Sequence, residues 1–403
     1  MIPPLPLCAL ALALGLAIPS PATAQATEAA RTLARDAVIV DTHIDAPGIL
    51  LERWADLGEA APDREFDYPR ARDGGLDVAF MSIYTSAGQD EDGSAWQVAN
   101  TMIDAVEALE ARHPEKFAVL TSPKDVERLR AGGRVLLPLG MENGAPIGDH
   151  LSHLAFFFDR GVRYITLAHS SNNRISDSSY TLEKRWNGLS PFGREVVREM
   201  NRLGMMVDVS HLSDAAVRDV LATSKVPVIA SHSALRHFTP GFERNLSDDL
   251  VRAIADAGGV VQIPFGIQFV NPQAAADTQA YFRAKDAFVR DNARRIAAGE
   301  PPADEAAFDA EWDAAHPMPV TGIDAVLDQV DHAVKLVGAG HVGIGSDFDG
   351  VGGHLPGTLR SVADFPNLVA GLQARGHSDA DIRGILGANL LRAWSQVEAG
   401  AAR

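Results

Sequence analysis

One cysteine, Cys8, is all that the 403 residues contain. A disulfide framework is thereby excluded, and with it any zinc site built on thiolates. A bound metal would have to be held by His, Asp and Glu. Positive charge is scarce too: 36 Lys and Arg face 53 Asp and Glu, a formal net charge of -17. That balance argues against nucleic acid and against anionic membrane surfaces as partners. Long apolar runs are also missing. The one candidate, near residues 7–18, is short for a bilayer span. It lies in residues 1–25, which hold no Asp, Glu, Lys or Arg, and "ATA" ends at Ala24 just before Gln25. Although a basic start is absent, this is the pattern of a secretory signal peptide. It predicts a secreted or periplasmic mature chain, residues 26–403, without stable membrane association.

What is present is regular. Eight short segments rich in Val, Ile, Leu and Met recur, at residues 37–45, 76–85, 134–144, 163–170, 205–211, 226–233, 260–266 and 341–350. Near-continuous apolar runs of this length suit parallel strands covered on both faces. Helical patterns separate them. "SPFGREVVREMNRLG" offers Ser190 as N-cap, Pro191 as first helical residue and Gly204 as a stop; "LSDDLVRAIADAGG" offers Ser247 and Gly258. About eight such alternations predict an α/β fold, a single (β/α)8 TIM barrel, with an open doubly wound sheet as the alternative. Residues 268–320, rich in Ala, Asp and Glu, predict a helical insertion between strands seven and eight.

Seven polar residues stand at the C-terminal ends of those segments: His43, Asp45, Glu142, His169, His211, His232 and Asp347. In a barrel, these ends converge on one mouth. A lone His at a strand end is more often structural. Seven such groups together are costly to bury unless paired or metal-bound. The donor set is all nitrogen and oxygen, which suits zinc or another divalent first-row metal. His43 and Asp45 could chelate one ion, His211 and His232 a second, and Glu142 could bridge both. Charge balance favours two ions, whose positive charge Asp45, Glu142, a hydroxide and Asp347 would offset.

The segments "DTHIDAP", "GMENG", "DVSHLSD", "IASHSALR" and "GIGSDFDGV", with "GANLLRAW" near the C-terminus, resemble motifs of the renal (membrane) dipeptidase family, metallopeptidases of the amidohydrolase superfamily. The resemblance runs from about residue 36 to 396, with the motifs in family order. It implies a (β/α)8 barrel whose binuclear zinc site hydrolyses dipeptides through a metal-bridging hydroxide. Carried over by motif, His43 and Asp45 are the ligands of one zinc, His211 and His232 those of the other, and Glu142 the bridging carboxylate. Asp347 is the implied catalytic acid/base. His169 is the implied contact to the scissile carbonyl, and Arg244 in "ERNLSD" the implied receiver of the substrate carboxylate. Two Zn2+ per chain and a dipeptide substrate are the corresponding expectations, with a homodimer left open. Other binuclear chemistries, on lactones, cyclic amides or phosphotriesters, stand as alternatives, as does a non-catalytic metal- or peptide-binding role.

Some positions are read less sharply. The loop from His232 to Arg244 is one residue longer than in the mammalian members, Glu243 stands where those have a basic residue, and Arg236 competes with Arg244. Asp41 alternates with His43 and either orients a ligand or serves as a structural cap. Asp208 lies at odd spacing from His211, which points it the other way. Asp349 competes with Asp347 as the acid/base. His237 is an outside candidate for substrate contact, and Trp186 for lining the mouth. His150, His153, His332, His354 and His377 are read as surface or packing residues.

Overall fold

A computed structural model describes residues 26–402; the expected signal peptide, with Cys8, lies outside the described residues. Eight parallel strands form a closed ring. They are β1 (Ile39–Ile44), β2 (Leu76–Tyr84), β3 (Leu139–Glu142), β4 (Val162–Thr166), β5 (Met206–Asp208), β6 (Ile229–Ala230), β7 (Val260–Ile263) and β8 (Val342–Ile344). Each pairs with the next in sequence. The ring closes between β8 and β1 just above the strand ends. There Asp45 N donates to Phe348 O at 2.8 Å and Asp347 N donates to His43 O at 3.1 Å. Helices occupy the crossovers, so the fold is the TIM barrel and not the open sheet.

All eight apolar segments carry a barrel strand, but the strands are shorter than the runs. The third run breaks at Pro138, which has no N–H to donate. Val135–Leu136 pairs with the lower part of β2, and β3 takes over at Leu139. Phe117–Ala118, a two-residue strand beyond that edge, lies in the short apolar run 117–120, which is not among the eight.

Side chains inside the barrel grade from apolar to polar. Val40, Val78, Phe80, Tyr164, Met206 and Ile229 form a floor, closed below by Trp394 of the C-terminal helix. The next inward positions along three of these strands are Ser82, Thr166 and Asp208, all buried. Gly140 is needed in this packing, because any Cβ there would collide with the Tyr164 ring.

The foreseen helix signals are used. Ser190 Oγ accepts from Gly193 N at 2.8 Å, Pro191 opens the helix, and Gly204 ends it at φ 79°. Two further helices bear on the mouth. Helix α1 (Ala46–Glu52) starts directly after Asp45. Between β7 and β8, α2 (Pro272–Ala297) and α3 (Glu305–Ala315) make a hairpin held by stacking of Phe288 on Phe308 at 4.6 Å. No helix among the described residues is long and apolar enough to cross a membrane.

Candidate metal centre and active site

Because the strands stop early, only His43 and Glu142 project from strands. Asp45, His169, His211, His232 and Asp347 sit in the loops that follow. His211 and Asp347 both have φ of 66°, and Asp349 has φ of 62°. Such left-handed backbone is uncommon for non-glycine residues and collects at functional sites.

Glu142 is the hub. Its Oε1 lies 3.0 Å from His211 Nε2, 3.2 Å from His232 Nε2 and 3.5 Å from His169 Nε2. Its Oε2 lies 3.3 Å from His43 Nε2, and Ser82 Oγ donates to it at 3.3 Å. Asp45 Oδ2 is 3.4 Å from His43 Nε2. Burial alone would raise the Glu142 carboxyl, but His43, His169, His211 and His232 hold it well below its usual range. Asp347 goes the other way: burial and the Asp45 charge push it well above.

The hydrogen-bond network fixes two imidazole tautomers. Tyr164 Oη donates to Thr42 O at 2.9 Å, so its contact of 2.8 Å with His43 Nδ1 has the ring N–H as donor. Ser231 Oγ donates to Asp208 Oδ2 at 2.6 Å, so it accepts from His232 Nδ1 at 2.8 Å. His232 therefore aims a bare Nε2 lone pair at Glu142; burial alone would lower the His43 ring, but Tyr164, Glu142 and Asp45 raise it well above its usual pKa. His43 Nε2 is fully buried without a hydrogen-bond partner. His211 Nε2 lies only 2.7 Å from His232 Nε2, and burial keeps both rings well below their usual pKa, hence neutral. Buried imidazole nitrogens and carboxylates that converge in this way call for positive charge and make a cation site. The residues fit a metal, with donor groups at His43, Glu142 and His232, at Glu142, His169 and His211, and at His43, Asp45 and Asp347.

Asp208 corrects the sequence reading. Alternation fails between it and His211, because β5 ends at Asp208 and His211 sits in a left-handed turn. Asp208 points inward, accepts from Thr166 Oγ1 at 2.5 Å and Ser231 N at 2.8 Å, and backs His232 through Ser231. Asp41 resolves toward the structural role. It accepts from His43 N at 3.1 Å and Ser346 N at 2.9 Å, while Tyr164 holds the His43 ring.

The two arginines separate clearly. Arg236 is occupied by Asp214, with both Nη atoms at 2.8 and 2.5 Å. Arg244 is buried beside the cluster, donating to His211 Nε2 at 3.0 Å, to Ser233 Oγ and to His232 O, over the Phe269 ring at 4.8 Å. Glu243 turns away to pair with Lys184 at 2.9 Å. Asp349 is also committed elsewhere, accepting from Glu65 N at 2.8 Å and Phe66 N at 3.3 Å. Gly350 lets Asp45 and Asp347 approach each other, since a Cβ there would meet both carboxylates. His237 stacks on His332 at 3.9 Å, outside the cleft lining, and Trp186 Nε1 donates to Asn173 O in a packing role.

A cavity of about 370 Å³ opens over the cluster, lined by Asp45, Tyr84, His169, Tyr180, Asp347 and helix α1 among others. His169 packs edge-on to Tyr84 at 4.8 Å, and burial keeps its ring below the usual pKa. Tyr84, Tyr164, Tyr180 and Ser231 were missed in the sequence, where an aromatic or a serine in an apolar run carries no distinguishing signal.

Barrel and donor cluster together define a metallohydrolase of the TIM-barrel class. Comparison with known proteins narrows this. The family description "Membrane dipeptidase (Peptidase family M19)" matches residues 27–403, and the chain belongs to that family. It is thus a metallo-dipeptidase. Dipeptidase aclJ of Aspergillus oryzae is 32% identical over 341 residues, covering 83% of this chain and 70% of that protein. An uncharacterized dipeptidase of Schizosaccharomyces pombe is 31% identical, covering 93% and 83%. Among solved structures, the probable dipeptidase PvdM from Pseudomonas aeruginosa aligns with a TM-score of 0.77 at 28% identity, covering 93% of this chain and 98% of that one.

Proposed function

We propose that the enzyme is a zinc dipeptidase in which His43 and Asp45 hold one ion, His211 and His232 the other, and Glu142 bridges them. The observation that carries this is the convergence of three buried imidazoles, those of His43, His211 and His232, on one buried carboxylate. When bound, the metals supply acidified water and electrophilic pull on the scissile carbonyl. The rest belongs to the chain. Asp347, whose proton affinity burial and the Asp45 charge raise, takes the proton of the attacking water as a carboxylate and returns it to the leaving amine. His169, neutral at the cavity wall, donates to the carbonyl oxygen as charge develops. Arg244 grips the terminal carboxylate with a planar fork. The signal-like start supports a secreted or periplasmic setting.

A panel of free dipeptides covering L,L and L,D forms, assayed with zinc supplied and with metal content counted, tests this reading. It expects hydrolysis of at least one stereochemical class with two zinc ions per chain. Absence of hydrolysis across the panel with zinc fully loaded would overturn it.

A further inference from the structure

We propose that Glu52 selects dipeptides whose first residue carries a long cationic side chain, such as lysine, arginine or ornithine. This rests on the dipeptidase reading above. Arg244 lies on the His211 side of the cluster, and Asp347 on the side of His43 and Asp45. A substrate with its carboxylate on Arg244 therefore places its amino end toward Asp45, Asp347 and α1. That helix turns Gly48, Ile49 and Glu52 toward the cavity, positions that share one face. Glu52 lies seven residues beyond Asp45, about 10 Å along the helix axis at 1.5 Å per residue. A four-carbon ammonium side chain on the first residue can cover much of that distance, with Ile49 beside its methylenes.

Glu52 is also the acid left over. Asp45 and Asp347 belong to the cluster, and Asp349 is tied to the backbone of Glu65 and Phe66. Glu52 is exposed and makes no side-chain hydrogen bond or ion pair with any described residue. The neighbouring cations are committed, Arg53 and Arg64 both pairing with Asp63 at 3.0 and 2.9 Å. No described residue pairs with this carboxylate, yet it borders the cleft.

The test compares kcat/KM for Lys-Ala and norleucine-Ala at low ionic strength, with the zinc-loaded enzyme. The pair differs in charge at nearly equal length. The expected preference for Lys-Ala is about 5-fold, the size of a solvent-exposed ion pair, and it shrinks with added salt. Glu52→Gln brings the ratio to about 1. Glu52→Lys reverses it and creates a preference for Glu-Ala over Gln-Ala. A wild-type ratio near 1, or a ratio unchanged in Glu52→Gln, would overturn the proposal. If norleucine-Ala is hydrolysed in either case, the dipeptidase reading survives that result; if neither substrate nor any other dipeptide is hydrolysed, both fall.

Discussion

The barrel mouth and the α2–α3 hairpin are both rich in charge, and they hold it in opposite ways. At the mouth, Glu142, Asp45 and Asp347 are drawn together in a largely buried space, with the His43 imidazole between Asp45 and Glu142. In the hairpin acids pair with cations locally or face solvent. Lys285 meets Glu305 at 2.9 Å and Asp309 at 2.6 Å, and Arg290 meets Asp286 at 2.5 Å. Of the hairpin residues, only Ala274 and Ala275 are buried. Surface pairs of this kind contribute little and are screened by salt. The mouth lacks enough internal cations for its acids, so it is organised to receive charge from outside. Function and fragility should both concentrate there.

The largest effect is expected from Asp347→Asn. Turnover should fall about 10²–10⁴-fold, the range for losing a general acid/base, while zinc content stays at the wild-type level. A large loss of zinc would instead make Asp347 a ligand. Next is Arg244→Lys, which keeps the charge and loses the two-point fork. A fall in kcat/KM of about 10–100-fold is expected, the size of a lost bidentate contact of about 1.5–3 kcal/mol. It should be largest for free dipeptides and small for C-terminally amidated ones. Equal losses on both would separate Arg244 from the carboxylate.

A third prediction concerns the rim. Burial and the nearby Asp349 push Glu65 from 4.5 up to about 7. A carboxyl with a raised folded-state pKa binds its proton more tightly when folded. Its contribution is complete below pH 4.5 and is lost as pH rises through about 7. Glu65→Gln mimics the protonated form, so denaturant unfolding should show the variant losing less stability than wild type between pH 4.5 and 8. The difference should be roughly 2–3 kcal/mol. Parallel pH profiles would refute it. The smallest effect belongs to the hairpin. Val289 and Ile296 are 53% and 61% exposed, and Val289→Ser or Ile296→Ser should change stability by less than about 0.5 kcal/mol. A larger loss would break the contrast between the two regions.

Much of this was legible in the sequence. Strand runs, helix caps and the polar ends of the runs depend on local pattern, and Ser190, Gly204 and Glu142 could be placed from spacing alone. What escaped depends on how the chain leaves each strand. Asp208 was misdirected because alternation was carried three residues past the end of β5. The β1 ladder also shifts register twice, so the alternation of Asp41, His43 and Asp45 was a weaker guide than it looked. Tyr164 and Ser231 fix the imidazole tautomers through contacts more than a hundred residues apart or across neighbouring loops. No local pattern encodes such contacts.

Crystals of the zinc-loaded protein, measured on both sides of the zinc absorption edge, test the central claim most directly. Two anomalous peaks are predicted, one between His43, Asp45 and Glu142, the other between Glu142, His211 and His232. A single peak, or a second peak that does not touch Glu142, would contradict the bridged pair.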